Sequence, residues 1–318
     1  MRMRLAAAIF LLSITGHAEA AEFFGSVSAG TGYDDNVIRG LDSLTRAGDL
    51  MYRARLDGGV NLPVDDRSGV TVSTRWEATQ LHRFDELSSL RGAASVRYLL
   101  RPGTDFTSPW YALEVEAAGL GHKESRIRDS WLVSIDASTG QRFTDRLSGS
   151  VAYRYEIRQA DENSVFDTEM QTVTGILEYQ LTRDFNLYAG YQIGVGELTA
   201  VGVFPGSPTG AAAGPGPGPG PGPGPGPGPV PGLSPLPGAL ANGGFNDAVV
   251  DTALQSAFGH DVLAYQTDGM YNKVTVGGHL MLTHDVSVDL SGYYFDAAGE
   301  KSLNYRAFGA NLAAAYHF

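Results

Sequence analysis

The chain has 318 residues, a formal net charge of -12, 43% hydrophobic residues and no cysteine. Export without cysteine argues against a disulfide-stapled secreted module, and an acidic chain offers no basic stripe to neutralise nucleic-acid phosphates. After residue 20, no segment reaches the roughly 18 consecutive apolar residues that a transmembrane helix requires.

The N-terminus has the organisation of a secretory signal peptide. Arg2 and Arg4 precede the apolar run Leu5–Ile14, and Ala18-Glu19-Ala20 provides a small-residue cleavage site. We therefore predict a signal peptide over residues 1–20, cleaved before Ala21, and a mature domain over residues 21–318.

From Glu22 onward, apolar side chains recur at every second position, which is the period of a β-strand with two different faces. Twelve such segments are separated by connections that are alternately short and long, and no proline lies inside a segment. The predicted strands cover residues 22–32, 50–60, 70–78, 90–98, 111–117, 131–137, 151–157, 173–181, 185–195, 274–282, 286–294 and 303–318.

The last strand indicates the environment of these faces. Its apolar file runs from Phe308 to Phe318 in steps of two, with small or polar residues between. A strand of about ten residues with this division fits a membrane-spanning barrel, although a terminal strand of a soluble β-sandwich is the alternative. Aromatic residues near the strand ends, including Trp110, Tyr111 and Trp131, favour the barrel because they resemble interfacial girdles. The sequence thus predicts an all-β fold, a transmembrane antiparallel up-and-down barrel of about twelve strands.

A long insertion over residues 197–269 interrupts the two-residue hydrophobic period. Pro215–Pro231 is a Gly-Pro alternation of period two, so it is not collagen, and it predicts a solvated, extended spacer. Phe245–Phe258 follows with apolar residues at helical spacing and with Asn246 or Asp247 as a candidate cap. Two hypotheses remain open: a surface helix in a long extracellular loop, or a lid or plug.

The charged side chains lie on the face opposite the apolar files, which in a barrel is the lumen. The predicted pore-lining residues are Arg53, Arg55, Arg75, Glu77, Arg91, Arg97, Glu114, Glu116, Arg154, Arg158, Glu178 and Lys273. Arginines dominate strands two to four and acids strands five and six, which predicts either a salt-bridged lumen or a narrow aqueous pore with a transverse field.

Catalysis has little support in the sequence. His82, His122 and His260 are expected on the same side as Asp34–Asn36, but no spacing marks a metal site or a nucleophile–base pair. There is no phosphate-binding loop, dinucleotide fingerprint or zinc motif. We therefore predict no enzymatic activity, no cofactor and no metal.

The first strand ends in Gly30-Thr31-Gly32-Tyr33-Asp34-Asp35-Asn36-Val37. This stretch resembles the "G-Y-D-D/S-N-V" opening of a porin-like outer-membrane β-barrel family of proteobacteria, some members of which are linked to exopolysaccharide or surface-component export. The resemblance supplies no catalytic residues. From the residues alone, Asp34, Asp35 and Asn36 suit an Asx-type turn.

The expected location is the outer membrane of a Gram-negative bacterium. The expected function is a porin-like channel for passive diffusion of small polar or anionic solutes; a non-conducting accessory barrel for surface-polysaccharide export or cell-surface interaction is the alternative. The expected partners are outer-membrane lipid and lipopolysaccharide, small polar solutes, and the barrel-assembly machinery, whose C-terminal signal the Phe318 end resembles.

Overall fold

The strands of this protein form a closed ring. The structure is a computed structural model that describes residues 21–41, 45–203, 248–258, 262–300 and 303–318. Within those residues, neighbouring strands pair antiparallel in chain order, and pairing of β9 with β11 completes a ring of twelve strands. A thirteenth strand, β10, pairs with β11 outside the ring. The strands are β1 Glu22–Asp34, β2 Asp49–Asp65, β3 Ser68–Leu81, β4 Ser89–Leu100, β5 Trp110–His122, β6 Ser130–Arg142, β7 Leu147–Ala160, β8 Thr168–Gln180, β9 Phe185–Val203, β10 Ala248–Val250, β11 Val262–Met281, β12 Val286–Gly299 and β13 Asn304–His317.

The predicted twelve-stranded barrel is confirmed, and so is the division of its two faces. The apolar residues of the two-residue period point outward; Leu56, Trp76, Leu177 and Leu312 are between 47% and 55% exposed. A closed ring leaves no unpaired strand edge, which is the condition for strands to lie in hydrocarbon. Among the described residues, no helix has the length and apolar character needed to cross a membrane.

The two ends of the barrel differ in their connections. The turn side holds the connections 66–67, 101–109, 143–146, 181–184 and 282–285. It also holds both ends of the barrel chain, since the Gly25 and Phe318 backbones exchange hydrogen bonds of 2.9 and 3.0 Å. The loop side holds the connections 35–48, 82–88, 123–129, 161–167, 204–261 and 300–303. Three of these loops contain a short 3-10 helix, at Asp85–Leu87, Arg126–Arg128 and Ser164–Phe166.

Two strands continue beyond the barrel wall on the loop side. Pairing of β8 with β9 ends at Gly196, and pairing of β11 with β12 ends at Gly269. Beyond these positions, residues 197–203 and 262–268 pair as a two-stranded ribbon. Gly196 has a φ of 149°, and a Cβ there would collide with the Glu169 carbonyl, so only glycine fits this departure from the wall. The ribbon extends strand structure into both ends of the predicted 197–269 insertion.

The middle of the insertion contains less helix than its spacing predicts. Ala248–Val250 form β10 against β11, and helix α1 covers only Thr252–Phe258. The Asp251 side chain accepts a hydrogen bond from the Ala253 backbone at 3.2 Å, so Asp251 caps the helix. The predicted Gly-Pro spacer, the candidate caps Asn246 and Asp247, and the predicted signal peptide lie outside the described residues.

Candidate pore lumen and its loop-side cap

A continuous salt-bridge network crosses four strands on the inner face. Asp57 accepts from Arg55 at 2.5 Å and from Arg75 at 2.9 Å. Glu116, whose side chain is 3% exposed, lies 3.4 Å from Arg75 and 2.5 Å from Arg91. The predicted arginine-rich and acidic walls therefore touch each other here, and this part of the lumen follows the salt-bridged hypothesis.

Charges on β6 and β7 are held more loosely. Arg154 lies 3.7 Å from Asp136 and 3.8 Å from Glu156, at the outer limit of ion pairing. Arg158 donates hydrogen bonds only to neutral groups in the described structure, from Nε to the Ser130 hydroxyl at 2.8 Å and from Nη2 to the Arg128 carbonyl at 3.0 Å. These side chains continue the charged half of the wall from β5 to β7.

Several predicted lining residues make no salt bridge within the described part of the chain. They are Arg53, Glu77, Arg97, Glu114, Arg158, Glu178 and Lys273. Arg53 donates to Asn311 Oδ1 at 3.1 Å, and Glu178 accepts from Ser148 at 3.4 Å. Lys273 Nζ lies 4.8 Å from the centre of the Tyr293 ring. An ionised group in low dielectric without a counter-charge is strongly disfavoured, so these groups require a hydrated interior.

The rest of the wall carries fewer charges, and several of its tyrosines lie against glycines. Each of three inward tyrosines is the direct register partner of a glycine on the next strand, and a Cβ at that glycine would collide with the ring. The pairs are Tyr188–Gly277, Tyr271–Gly194 and Tyr293–Gly309. The hydroxyls are anchored, for example Tyr188 to Asp289 at 3.1 Å. The rings consequently line the wall without filling the lumen.

This tyrosine wall was missed in the sequence. Each tyrosine lies at an inward position of its strand, but its glycine partner becomes identifiable only when the strand register is known.

Trp110 also differs from its prediction. The sequence predicts it in the outer aromatic girdle together with Tyr111, but successive side chains on a strand point to opposite faces. Tyr111 is 47% exposed on the outside, whereas the Trp110 ring lies 5.7 Å from the guanidinium of inward-facing Arg97. Trp110 is therefore a lumen residue. The signal in the sequence is its position next to the outward-facing Tyr111, because neighbouring strand residues point to opposite faces.

A cavity of about 200 Å³ lies along four neighbouring strands, β13, β1, β2 and β3, where the charged wall meets strands with small inward residues. Arg53, Arg55 and Glu77 line one side, and Ser28 and Gly30 are among the residues lining the other. This cavity thus places free space on the inner face beside Arg53, which has no salt bridge among the described residues.

The loop side is covered by a cap, which we define as the ribbon (197–203 and 262–268), β10, α1 and the described part of loop 35–48. The loop joins the ribbon through backbone hydrogen bonds, from Leu41 N to Val201 O at 2.9 Å and from Val201 N to Arg39 O at 3.1 Å. On another side, the Thr199 hydroxyl donates to the Val165 carbonyl at 3.3 Å.

The cap has its own apolar core. Ile38, Phe84, Val201, Leu254 and Val262 belong to one cluster, and each is no more than 2% exposed. They come from the loops after β1 and β3, from β9, from α1 and from β11. Strands β3 and β11 are five neighbours apart in a ring of twelve, so this cluster reaches across the mouth. Of the two hypotheses for the insertion, the structure favours the lid.

One buried ion pair fastens the insertion to the rim. Asp251 is fully buried and accepts from Arg128 Nε at 2.8 Å and from Nη2 at 2.6 Å. The Arg128 guanidinium also lies 4.8 Å from the centre of the Phe166 ring. Two loops and the insertion therefore meet at this pair, which we call the latch.

Asp34 and Asp35, two of the residues considered for catalysis, have structural partners. Asp34 Oδ1 accepts from the Asn36 backbone at 2.8 Å, which confirms the predicted Asx turn, and Asp35 forms an ion pair with Arg46. His122 Nδ1 lies 3.5 Å from Asp129. His260 lies outside the described residues, and within them no cluster of three or more His, Cys, Asp or Glu is placed to hold a metal ion.

No family model matches the chain, and no curated protein sequence matches it. Among solved structures, an outer-membrane channel from Pseudomonas putida F1 aligns with 93% of this chain and 95% of its own, with 9% identity and a TM-score of 0.53. The NanC porin covers 91% of this chain and 98% of its own at 9% identity, with a TM-score of 0.43. The TodX monoaromatic hydrocarbon channel covers 93% and 90% at 7% identity, with a TM-score of 0.41. The similarity to the Pseudomonas channel shows that this chain has the fold of an outer-membrane β-barrel.

Proposed function

We propose that the protein is an outer-membrane channel for passive diffusion of small polar or anionic solutes, and that its structure represents a closed state. The observation that supports this most is the inner cavity of about 200 Å³ beside Arg53. Arg53 makes a hydrogen bond to Asn311 but no salt bridge, so water or a passing anion is its natural counterpart.

The distribution of charge supports a preference for anions. Asp57 and Glu116 are occupied by arginines, whereas Arg53, Arg97 and Lys273 keep their positive charge without a salt bridge in the described structure. Water-filled lumens with fixed charge concentrate ions of the opposite sign. Within the described residues, Glu77, Glu114 and Glu178 also lack a salt bridge and offset part of this positive charge, to which Arg158 adds.

The cap is the proposed gate. It crosses the mouth, so conduction requires its displacement about the points where the ribbon leaves the wall, near Gly196 and Gly269. In a variant with an Asn-Gly turn in place of residues 204–261, the ribbon becomes a hairpin because Val203 and Val262 are register partners.

Single-channel recording in planar bilayers tests the proposal. We expect rare openings for the wild type and frequent, larger openings for the hairpin variant. Arg53→Gln should lower the anion-to-cation permeability ratio, whereas Arg183→Gln, on an exposed turn, should leave it unchanged. Folded protein that conducts in neither form would refute the channel, and equal conductance in both would refute the gate.

A second function is favoured by the packed core of the cap. A barrel whose mouth is permanently closed would serve as an accessory protein for surface-polysaccharide export or cell-surface interaction, with the insertion as its contact. This alternative predicts no current from either form, and binding to surface polysaccharide that the hairpin variant loses.

We further propose an outer-membrane location in a Gram-negative bacterium, with lipid and lipopolysaccharide around the apolar outer face. The Phe318 end is the proposed recognition element for barrel assembly. No catalytic role is proposed, because Asp34 and Asp35 are engaged in the contacts described above.

A further inference from the structure

The turn-side end of the lumen contains a second cavity, of about 310 Å³, formed by the 101–109 turn and strands β5 to β8. Its size is at the lower end of the range for small-molecule sites, about 300–1,000 Å³. It lies at the end of the barrel opposite the cap and stays accessible when the cap is closed.

The charges of this cavity suit a single negative charge. Arg101 and Arg142 line it, and neither makes a salt bridge in the described part of the chain. Glu178 is the carboxylate among the lining residues, so the ionised lining has one net positive charge. Arginine guanidinium groups bind carboxylates through paired, charge-assisted hydrogen bonds. A monoanionic carboxylate therefore balances the site better than a dianion or a cation.

The neutral lining suits hydroxyl groups and one apolar face. Ser108, Ser148 and Ser150 supply hydroxyls that both donate and accept, and Glu178 already accepts from Ser148 at 3.4 Å. Trp110 offers a flat ring, held in place over Gly140, where a Cβ would lie 2.6 Å from the indole. Serines, a carboxylate and an indole together match a compact ligand with several hydroxyls and an apolar ring face.

Phe106 and Arg142 set one border of the cavity. The Arg142 guanidinium lies 4.9 Å from the centre of the Phe106 ring, which fixes its plane while its edge remains able to donate hydrogen bonds. A preorganised donor binds a carboxylate with less loss of side-chain entropy than a mobile one.

We infer that this turn-side cavity is a binding subsite for small hydroxylated carboxylates of the size of one acidic sugar. The subsite deepens the proposed function, since it names the class of solute that the channel would pass. Its carboxylate contacts are Arg101 and Arg142, its hydroxyl contacts are the serines and Glu178, and its ring contact is Trp110.

The tryptophans of the chain provide a direct measurement. The sequence contains three, and Trp76 and Trp131 lie on the outer face. In a Trp76→Phe/Trp131→Phe background, emission comes from Trp110 alone. Glucuronate, glucose and acetate are the probes, because glucose lacks the carboxylate and acetate lacks the hydroxyls.

We expect glucuronate to change Trp110 emission saturably and to bind at least about tenfold more tightly than glucose or acetate. Arg101→Gln and Arg142→Gln should each weaken glucuronate binding by about tenfold, the expected size for loss of a charge-assisted contact. Arg183→Gln removes the same charge from a turn on the same side, outside the cavity, and should change nothing. Circular dichroism confirms that each variant is folded.

Absence of a saturable signal with glucuronate, or equal weakening by Arg183→Gln and Arg142→Gln, would overturn the subsite. The titration uses detergent-solubilised protein and needs no current. Binding without conductance would thus remove the channel and leave the subsite, whereas conductance without binding would do the reverse.

Discussion

The two ends of this barrel differ in packing: the loop side is filled by apolar side chains, and the turn side contains a cavity lined by charged ones. On the loop side, apolar side chains from strands far apart in the ring, such as Phe84 and Val262, bury one another across the mouth. On the turn side, Arg101, Arg142 and Glu178 surround open space. In the proposed channel, this difference corresponds to a division of tasks in which the loop side controls access and the turn side contacts the solute.

The largest expected effect comes from removing one member of the latch. Asp251→Ala leaves the Arg128 guanidinium largely buried without its carboxylate, and loss of one partner of a buried pair costs about 3–5 kcal/mol. The cap should loosen while the barrel remains intact. Hydrogen exchange should increase in 248–258 and in the ribbon, and channel openings should become more frequent.

Arg46→Gln is the matched control for the latch. The Arg46–Asp35 pair is solvent-exposed, and such pairs contribute about 0.2–1 kcal/mol, so exchange in the cap should hardly change. The division of tasks further requires that Asp251→Ala leave glucuronate binding at Trp110 unaltered. If that binding were lost as well, the two ends would be one coupled unit.

A smaller effect is expected from the tyrosine wall between the two ends. Gly277→Ala places a methyl group against the Tyr188 ring, and overpacking of this kind costs about 1–3 kcal/mol. The ring should swing into the lumen and reduce the conductance of the hairpin variant. Gly175→Ala, where a Cβ meets no atom within 4 Å, should leave conductance unchanged.

The smallest effect concerns the exposed turn at 282–285. The Asp285 carboxylate hydrogen-bonds His284 at 2.7 Å and raises the pKa of His284 above its ordinary value. Because the pKa of His284 is raised, the contact stabilises the folded protein fully below the ordinary pKa of histidine. This stabilisation is lost as the pH rises through the raised pKa of His284. In a proton NMR titration, Asp285→Asn should lower the His284 midpoint, with no change in conductance or in cap exchange.

The sequence predicted the barrel wall because one local rule determines it. Leu56 and Leu312 follow the two-residue period, and each strand satisfies that rule independently of its neighbours. The same two-residue alternation predicted the charged inner face. The contact of Arg75 with Glu116 is consistent with the arginine-rich and acidic walls predicted there.

The cap and the tyrosine wall could not be predicted from the two-residue alternation. The cap depends on packing between Phe84 and Leu254, which are far apart in sequence and whose spacing gives no signal of contact. The ribbon loses its two-residue period because Leu198 packs with the strand residues Ala297 and Tyr305, and Val262 belongs to the cluster of the cap, instead of facing lipid. The prediction for Trp110 is wrong because the alternation of side chains along the strand, and not aromatic character, determines which face a residue occupies.

The backbone hydrogen bonds between Gly25 and Phe318 have a consequence for biogenesis. The first and last strands form a seam whose register joins Ser26 to His317, almost the full length of the chain. Until the final residues have been delivered, β1 keeps an open edge that any passing strand could pair with. The chain must therefore be shielded until the last strand has paired, and deletion of β13 should yield aggregates instead of a smaller barrel.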